Sequence, residues 1–181
     1  MAEIVYPPVI VALKTFWKYL GLQFTFEGEA HIPRKGGAIL AMNHIGYLDF
    51  ALIGTAALPA DRLVRFMAKK EIFDNKLAGP LMRGMHHISV DRGNGSASFV
   101  AALRALRKDE IVGIFPEGTR SPSETEMLKA FTGVAKYALK HHVPIIPVGI
   151  KGTHHVLRKD DRKVQFKKTV EIIVGKPMTF E

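Results

Sequence analysis

Residues 37–49 read Gly-Ala-Ile-Leu-Ala-Met-Asn-His-Ile-Gly-Tyr-Leu-Asp and pass from an apolar run into a polar turn. The run 37–42 is apolar throughout, which is typical of a buried strand. Residues 48–58, which follow the turn, have the spacing of a helix. A buried strand that leads through a short turn into a helix indicates an α/β domain.

The same alternation of strand and helix patterns continues along the chain. Further strands are predicted at residues 23–27, 64–68, 87–90, 111–115 and 144–150, a strand or hairpin at 164–174, and helices at 96–107 and 131–142. No internal repeat or linker interrupts these patterns. We therefore predict a single α/β domain over residues 23–181, with a central, mostly parallel or mixed sheet flanked by helices.

Residues 1–22 carry a separate, amphipathic pattern. Pro8 suits a helix start, and Val9, Leu13 and Trp17 then recur at helical spacing. Such a helix is ~20 Å long, short of the ~30 Å hydrocarbon core, so we expect it to lie on a membrane or to cover the domain's own core. Because the features of a secretory signal are absent, we expect a peripheral protein at the cytoplasmic face of a membrane.

Composition excludes several mechanisms. The 181 residues include no cysteine, so a thiol nucleophile, a disulfide framework and a cysteine-based zinc site are impossible. The 26 Lys and Arg residues against 17 Asp and Glu residues give a formal net charge of +9, which favours an anionic partner. Charge alone does not distinguish nucleic acid, an acidic lipid surface and a phosphorylated substrate.

A histidine followed five residues later by an aspartate is one candidate for proton-transfer chemistry, because a carboxylate-held imidazole can take a proton from a hydroxyl. The spacing occurs at His44 and Asp49, at His86 and Asp91, and at His155 and Asp160. The second pair brackets a strand, which would hold its members ~16 Å apart, and the third lies in a basic stretch typical of a solvated loop. Only the first pair occupies a strand-to-helix turn, where it could also serve merely as a helix cap.

A second candidate is the turn 115–121, Phe-Pro-Glu-Gly-Thr-Arg-Ser, which follows a predicted strand. Arg120 can bind a phosphate through two N–H groups, while Gly118 and Thr119 offer donors to the same anion. A surface turn with a Glu–Arg pair is the alternative. If the strands before residues 43–49, 91–95 and 116–121 are parallel neighbours, the polar residues of all three loops share one pocket.

The two motifs together resemble those of the glycerolipid acyltransferase family, which includes lysophosphatidate acyltransferase. The resemblance extends to Lys69-Lys70-Glu71-Ile72-Phe73, to the segment from Gly84 to Arg92, and to Val143-Pro144-Ile145-Ile146-Pro147-Val148, in an order that matches across roughly residues 25–153. The chain differs from the family's usual pattern at His86 and His87, where apolar residues are common.

The resemblance implies a catalytic pair in which Asp49 orients His44, and His44 deprotonates a glycerol hydroxyl that attacks an acyl thioester directly. It also implies a set of substrate-binding residues, which are Asn43, Lys69, Arg92, Glu117, Gly118, Thr119 and Arg120. In this set Arg120, Arg92 and Lys69, or Lys70 in place of Lys69, neutralise the substrate phosphate. The sequence does not identify the donors for the oxyanion.

The family implies acyl-CoA or acyl carrier protein as the acyl donor, a lysophospholipid acceptor such as 1-acyl-glycerol 3-phosphate, and a membrane surface, with no cofactor, no metal and no nucleic acid. Glycerol 3-phosphate and a lysoglycolipid remain alternative acceptors. A nonenzymatic binder of anionic lipid or nucleic acid is the alternative of another class, because residues 151–168 are rich in Lys and Arg.

Overall fold

A computed structural model of the chain describes residues 3–123, 126–157 and 163–180. These residues form a seven-stranded sheet in the order β1-β7-β6-β2-β5-β3-β4. The strands are β1 Gln23–Glu27, β2 Ala38–Met42, β3 Val64–Lys69, β4 Ile88–Val90, β5 Ile111–Ile114, β6 Ile145–Lys151 and β7 Thr169–Val174. All neighbours are parallel except β6 and β7, so the prediction of a mostly parallel or mixed sheet is confirmed.

Helices cover both faces of this sheet. They are α1 Tyr6–Tyr19, α2 Asp49–Gly54, α3 Lys70–Asp74, α4 Ala78–Gly84, α5 Gly95–Arg107, α6 Gly133–His141 and α7 Thr153–Val156. The predicted helix over residues 48–58 is divided, because α2 ends at Gly54 and a 3-10 helix, Thr55–Ala60, with Pro59 inside it continues the segment. The short helices α3, α4 and α7 were not predicted, since four to seven residues are too few to establish a helical period.

The strand β2 lies at the centre of two apolar layers. Leu40 and Met42 pack on the side of α1 and α2, while Ile39 packs against α5 and α6 on the other side. The burial of β2 on both faces explains why its sequence is apolar without alternation. At the chain's end the alternation over 164–174 is a strand only from Thr169.

The helix α1 covers the domain's own core with its inner face. Tyr6, Trp17 and Leu20 are buried, and Val9 and Leu13 pack against the core beside them. The outer face of α1 stays exposed. Within the part of the chain that the structure describes, no helix is both long enough and apolar enough to cross a bilayer.

The start of α1 is held by a buried arginine. The Arg65 guanidinium, 5% exposed, pairs with Glu3, with Glu110 at 2.8 Å and with the Met85 carbonyl at 2.9 Å. The Tyr6 hydroxyl donates to the Val64 carbonyl at 2.7 Å. Removing one partner from such a buried network leaves a charge or donor unsatisfied, so α1 and β3 are fixed to each other.

The histidines before β4 have different environments. His86, which is partly exposed, lies 3.6 Å from Glu3, and Asp91 beyond the strand lies 3.5 Å from Lys70, so these two residues have separate partners as expected. His87 is buried between the rings of Tyr6 and Phe66, and its Nδ1 accepts the Phe66 N–H at 3.1 Å. The third predicted pair cannot be compared, since Asp160 and its basic neighbours Arg158, Lys159 and Arg162 lie outside the described residues.

Burial, with a smaller effect from the nearby Arg65 charge, lowers the pKa of His87 from 6.5 to about 4. Between pH 6.5 and pH 4 the unfolded chain carries a proton on this histidine that the folded chain does not. The contribution of His87 to the free energy of unfolding is therefore fully present above pH 6.5 and is lost as the pH falls toward 4. We expect the free energy of unfolding to lose roughly 2–3 kcal/mol from this group. Urea unfolding near neutral pH and near pH 4.5, compared between wild type and His87→Gln, measures it.

The exposed His155 offers a matched control, because His155→Gln should keep the wild-type dependence on pH. A His87→Gln variant whose stability falls with pH as steeply as that of the wild type would show that another group is responsible.

Candidate active site

The turn between β2 and α2 brings the His44 ring to the Asp49 carboxylate. His44 Nδ1 lies 2.9 Å from Asp49 Oδ2, and the backbone N–H groups of Ile45 and Gly46 donate to the same oxygen at 2.7 and 2.8 Å. Asp49 is fully buried, while the His44 side chain is 21% exposed. The carboxylate thus closes the turn and leaves the far side of the imidazole accessible.

The contact with Asp49 also sets the tautomer of His44. An ionised carboxylate can only accept hydrogen bonds, so the proton of the neutral imidazole lies on Nδ1. Nε2 then carries the lone pair. This is the arrangement of a general base whose protonated form is stabilised by the carboxylate behind it.

The loop after β5 supports His44 from a second side. The Phe115 ring stacks on the His44 ring with centroids 4.1 Å apart, and the Ser121 N–H donates to the His44 carbonyl at 2.6 Å. Glu117, which is 2% exposed, accepts the His44 N–H at 2.8 Å and the Leu128 N–H at 2.8 Å. The two oxygens of Glu117 thus hold the backbone of residues 43–49 (the catalytic turn) and of the loop that contains Leu128. The assignment of Glu117 to the substrate-binding residues stays a prediction.

Asn43 connects the turn to β6. Its Nδ2 donates to the Ile150 carbonyl at 2.9 Å, and its Oδ1 accepts the Ile150 N–H at 2.7 Å. The amide thereby continues the pairing of β2 with β6 beyond the last residue of β2. Substrate contact by Asn43 stays a prediction, whereas its role in positioning His44 follows from these bonds.

The basic residues assigned to phosphate binding meet at the carboxyl ends of β3, β4 and β5. Arg92 donates to the Gly118 carbonyl, which joins the loop after β4 to the loop after β5. Lys69 is exposed at the end of β3, and Lys70 lies 3.5 Å from Asp91. Thr119 is exposed beside Gly118, whose φ of 65° lies in the left-handed region.

The sequence prediction assumed that the strands before the three site loops, β2, β4 and β5, are neighbours in the sheet, and the observed strand order differs. β2 and β5 are neighbours, but β3 lies between β5 and β4, so β4 forms the edge of the sheet. The loops still converge, because these four strands are parallel and their carboxyl ends share one side.

Arg120 lies in the loop after β5 that supports His44, and it contacts Tyr47 of the turn 43–49. The guanidinium carbon lies 3.4 Å from the centroid of the Tyr47 ring, a cation–π contact within the catalytic turn. Nη1 of Arg120 is buried and has no hydrogen-bond partner among the described residues. Sequence reasoning missed Tyr47, and its only local signal was an aromatic residue inside a polar turn.

A cleft of about 410 Å³ adjoins the turn and is lined by Asn43, Ile45, Glu117 and Ser121 among others. Within the described ranges, no three His, Asp or Glu side chains come together in a way that could hold a metal ion. The cleft therefore borders the turn that carries His44 and the loop that carries Glu117.

Known proteins are similar to this chain in sequence and in fold. The sequence profile of the family described as Acyltransferase matches residues 23–151. The chain belongs to the Acyltransferase family.

Several relatives carry a more specific name. A 1-acyl-sn-glycerol-3-phosphate acyltransferase of Bacillus subtilis (strain 168) is 31% identical over 169 residues, which are 92% of this chain and 79% of the relative. The Limnanthes alba protein of the same name is 32% identical over 86% of this chain, which spans only 54% of that relative. The crystal structure of the 1-acyl-sn-glycerophosphate (LPA) acyltransferase PlsC from Thermotoga maritima matches with a TM-score of 0.75 and 26% identity, covering 95% of this chain and 68% of that one.

For an acyltransferase, the geometry of His44 and Asp49 fits direct transfer. In such a transfer from a thioester, the acceptor hydroxyl would give its proton to His44 Nε2 as its oxygen bonds to the carbonyl carbon, and the carbon–sulfur bond would then break. His44 would return the proton to the departing thiolate. A covalent acyl-enzyme is not required, which agrees with a chain that contains no cysteine.

His44→Ala is expected to lower the turnover of acyl transfer by roughly 10²- to 10⁴-fold, the usual contribution of a general base, while the fold is retained. Release of free thiol from the donor measures turnover, and circular dichroism checks the fold. His155→Ala, at an exposed position, is the control and should behave as wild type. Acyl transfer at a near-normal rate by His44→Ala would exclude His44 as the base.

Proposed function

We propose that this acyltransferase transfers a fatty acyl group from a thioester to the free hydroxyl of 1-acyl-glycerol 3-phosphate, forming phosphatidic acid. The observation that carries the proposal is the buried Nη1 of Arg120, which has no acceptor among the described residues. Arg120 lies in the loop after β5, which contacts His44 through Glu117 and Ser121. A buried guanidinium nitrogen without an acceptor is costly, and an anionic oxygen of the substrate would satisfy it. The names of the relatives from Bacillus subtilis and Limnanthes alba support the same acceptor.

Stacking on Tyr47 makes Arg120 suitable for this task. The ring restricts the guanidinium to one plane, so that its N–H groups are ordered before the phosphate arrives. Arg92, bonded to the Gly118 carbonyl, holds the same loop from the other side and keeps further donors for the anion. A phosphate bound here lies close to the turn that carries His44, which suits transfer to a hydroxyl only a few bonds away.

An open apolar groove beside α1 is a suitable place for an acyl chain. It has a volume of about 600 Å³ and is lined by Trp17, Phe24, Phe26 and Leu58, with Lys14 at its rim. Leu58 belongs to the 3-10 helix that continues α2, so one wall of the groove is formed by the segment that follows α2. Apolar walls of this kind favour a hydrocarbon chain over a sugar or a peptide.

Glycerol 3-phosphate would use the same phosphate contacts without the groove, whereas a lysoglycolipid would use the groove without the phosphate contacts. Acyl-CoA and acyl carrier protein both present the thioester that the chemistry needs. Parallel assays with each donor and each acceptor, followed by mass spectrometry of the products, identify the preferred pair. A chain that releases no thiol with any pair would be a nonenzymatic binder.

Arg120→Ala is expected to raise the KM for 1-acyl-glycerol 3-phosphate by roughly 10- to 100-fold, because a charge-assisted pair with the phosphate is lost. The rate with monoacylglycerol, which has no phosphate, should change by less than about threefold. Arg104→Ala, an exposed arginine on α5, is the matched control. Equal effects of Arg120→Ala on both acceptors would contradict a phosphate-binding role.

The proposal also places the enzyme peripherally on an anionic membrane, at the cytoplasmic face. Because the inner face of α1 is packed on the core, the outer face supplies the contact, with Val11 64% and Tyr19 72% exposed. Leu77, at the start of α4, is 85% exposed. Val5 at the start of α1 packs on Gly84 at the end of α4, so the two helices contact each other at these ends. Exposed lysines on these segments suit anionic headgroups.

Val11→Asp and Leu77→Asp are each expected to weaken binding to vesicles of zwitterionic and anionic phospholipid by roughly 10-fold, since each removes an inserted aliphatic side chain. Sedimentation with the vesicles measures the binding. The control is Val100→Asp on α5, where an equally aliphatic side chain is 45% exposed on the other side of the sheet. Should all three variants bind like wild type, the membrane contact lies elsewhere.

A further inference from the structure

Only one of the two carboxylate oxygens of Asp49 has hydrogen-bond partners among the described residues. Its Oδ2 accepts from the His44 ring, from Ile45 and from Gly46, whereas Oδ1 is buried and has no hydrogen-bond partner among the described residues. Both oxygens of an ionised carboxylate accept hydrogen bonds, and an unsatisfied buried oxygen is costly. Oδ1 therefore indicates a further donor beside the catalytic turn.

The nearest candidate donor is the hydroxyl of Thr153. This residue is 1% exposed, and its Oγ1 is also buried without a hydrogen-bond partner in the part of the chain that the structure describes. A Cβ atom placed on Gly46 would lie 2.8 Å from Thr153 Oγ1 and 3.0 Å from Asp49 Oδ1. The two unpartnered oxygens consequently border the same small space next to Gly46.

The fold brings Thr153 to this position through β6. The pairing of Asn43 with Ile150 fixes β6 beside the catalytic turn, and Thr153 begins α7 three residues later. The intervening Gly152 has a φ of 87°, and a Cβ there would lie 2.3 Å from the Thr169 carbonyl oxygen. Only glycine permits this bend, so the direction of the chain into Thr153 is determined by the backbone.

We propose that Thr153 is a positioning residue for the catalytic pair, whose hydroxyl donates to Asp49 Oδ1 through one water, or directly once the Thr153 side chain has rotated. A carboxylate accepts only and a hydroxyl has one proton to donate, so the two groups are complementary. With both oxygens bonded, the carboxylate cannot rotate about its Cβ–Cγ bond, and Oδ2 stays directed at His44 Nδ1. The hydroxyl thereby acts on the rate through Asp49 and His44, without contact to substrate.

A merely structural role makes a different prediction. If Thr153 matters only because its methyl group fills space beside Val156, then valine, which has nearly the same shape, should replace it without loss, and serine should not. If the hydroxyl matters, the order is reversed. The comparison of Thr153→Val with Thr153→Ser therefore separates the two roles.

The kinetic test rests on the proposed function and uses 1-acyl-glycerol 3-phosphate with the preferred donor. We expect Thr153→Val to lower kcat about tenfold, the effect of losing one hydrogen bond to a charged group, with both KM values within about twofold. Thr153→Ser should retain kcat within about threefold. In an Asp49→Asn background the valine change should add less than about twofold, since the carboxylate it supports is gone.

A second readout does not depend on the substrate. The proton resonance of His44 Nδ1–H in the NMR spectrum should shift in Thr153→Val and return in Thr153→Ser, because the bond to Asp49 Oδ2 weakens and is restored. Thr25→Val, at an exposed position of β1, is the control for both measurements. Should the valine variant fail to fold, Thr153→Ala is subjected to the same two measurements.

An unchanged His44 resonance together with an unchanged kcat in Thr153→Val would overturn the proposal, as would a serine variant impaired like the valine variant. If the resonance shifts as expected but the wild type does not acylate 1-acyl-glycerol 3-phosphate, the positioning role of Thr153 stands and the proposed acceptor is wrong.

Discussion

The Oδ2 atom of Asp49 accepts three hydrogen bonds inside the domain, and the shape of the catalytic turn depends on it. A fully buried negative charge is tolerated only when donors surround it, so the backbone of Ile45 and Gly46 must fold toward the carboxylate. The same charge orients the His44 ring and stabilises its protonated form. The buried Asp49 carboxylate therefore determines both the fold of the turn and the orientation of the His44 ring.

Glu117 adds a second buried carboxylate, from a strand that is distant in sequence and adjacent in space. It binds the His44 N–H on one side and the Leu128 N–H on the other, while Phe115 stacks on the ring. The two loops that contain the family's motifs are thus joined to each other before any substrate is present. In the proposed mechanism, preorganisation of this kind would let the acceptor place its hydroxyl against a base that does not need to move.

The two faces of the amphipathic helix α1 have different environments. Its apolar face, including Trp17, packs against the core, which agrees with one of the two interpretations of the sequence. The exposed Val11 and Tyr19 on the other face of α1, together with Leu77 at the start of α4, supply the lipid surface in our proposal. In that proposal the groove lined by Trp17 would receive the acyl chain beside the helix that contacts the lipid.

Local sequence patterns predicted the α/β class, the central strand β2 and the turn that joins His44 to Asp49, because periodicity and turn chemistry act over a few neighbouring residues. They also separated His44 and Asp49 from the pair His86 and Asp91 by local context. The tertiary structure alone decided which partners the buried polar groups have. Asn43 meets Ile150 across 107 positions, and Glu117 meets His44 across 73, through the order of the strands in the sheet. No local pattern encodes such pairings, since they depend on which strands become neighbours, and for the same reason the positions of Tyr47 against Arg120 and of Thr153 beside Gly46 depend on the fold.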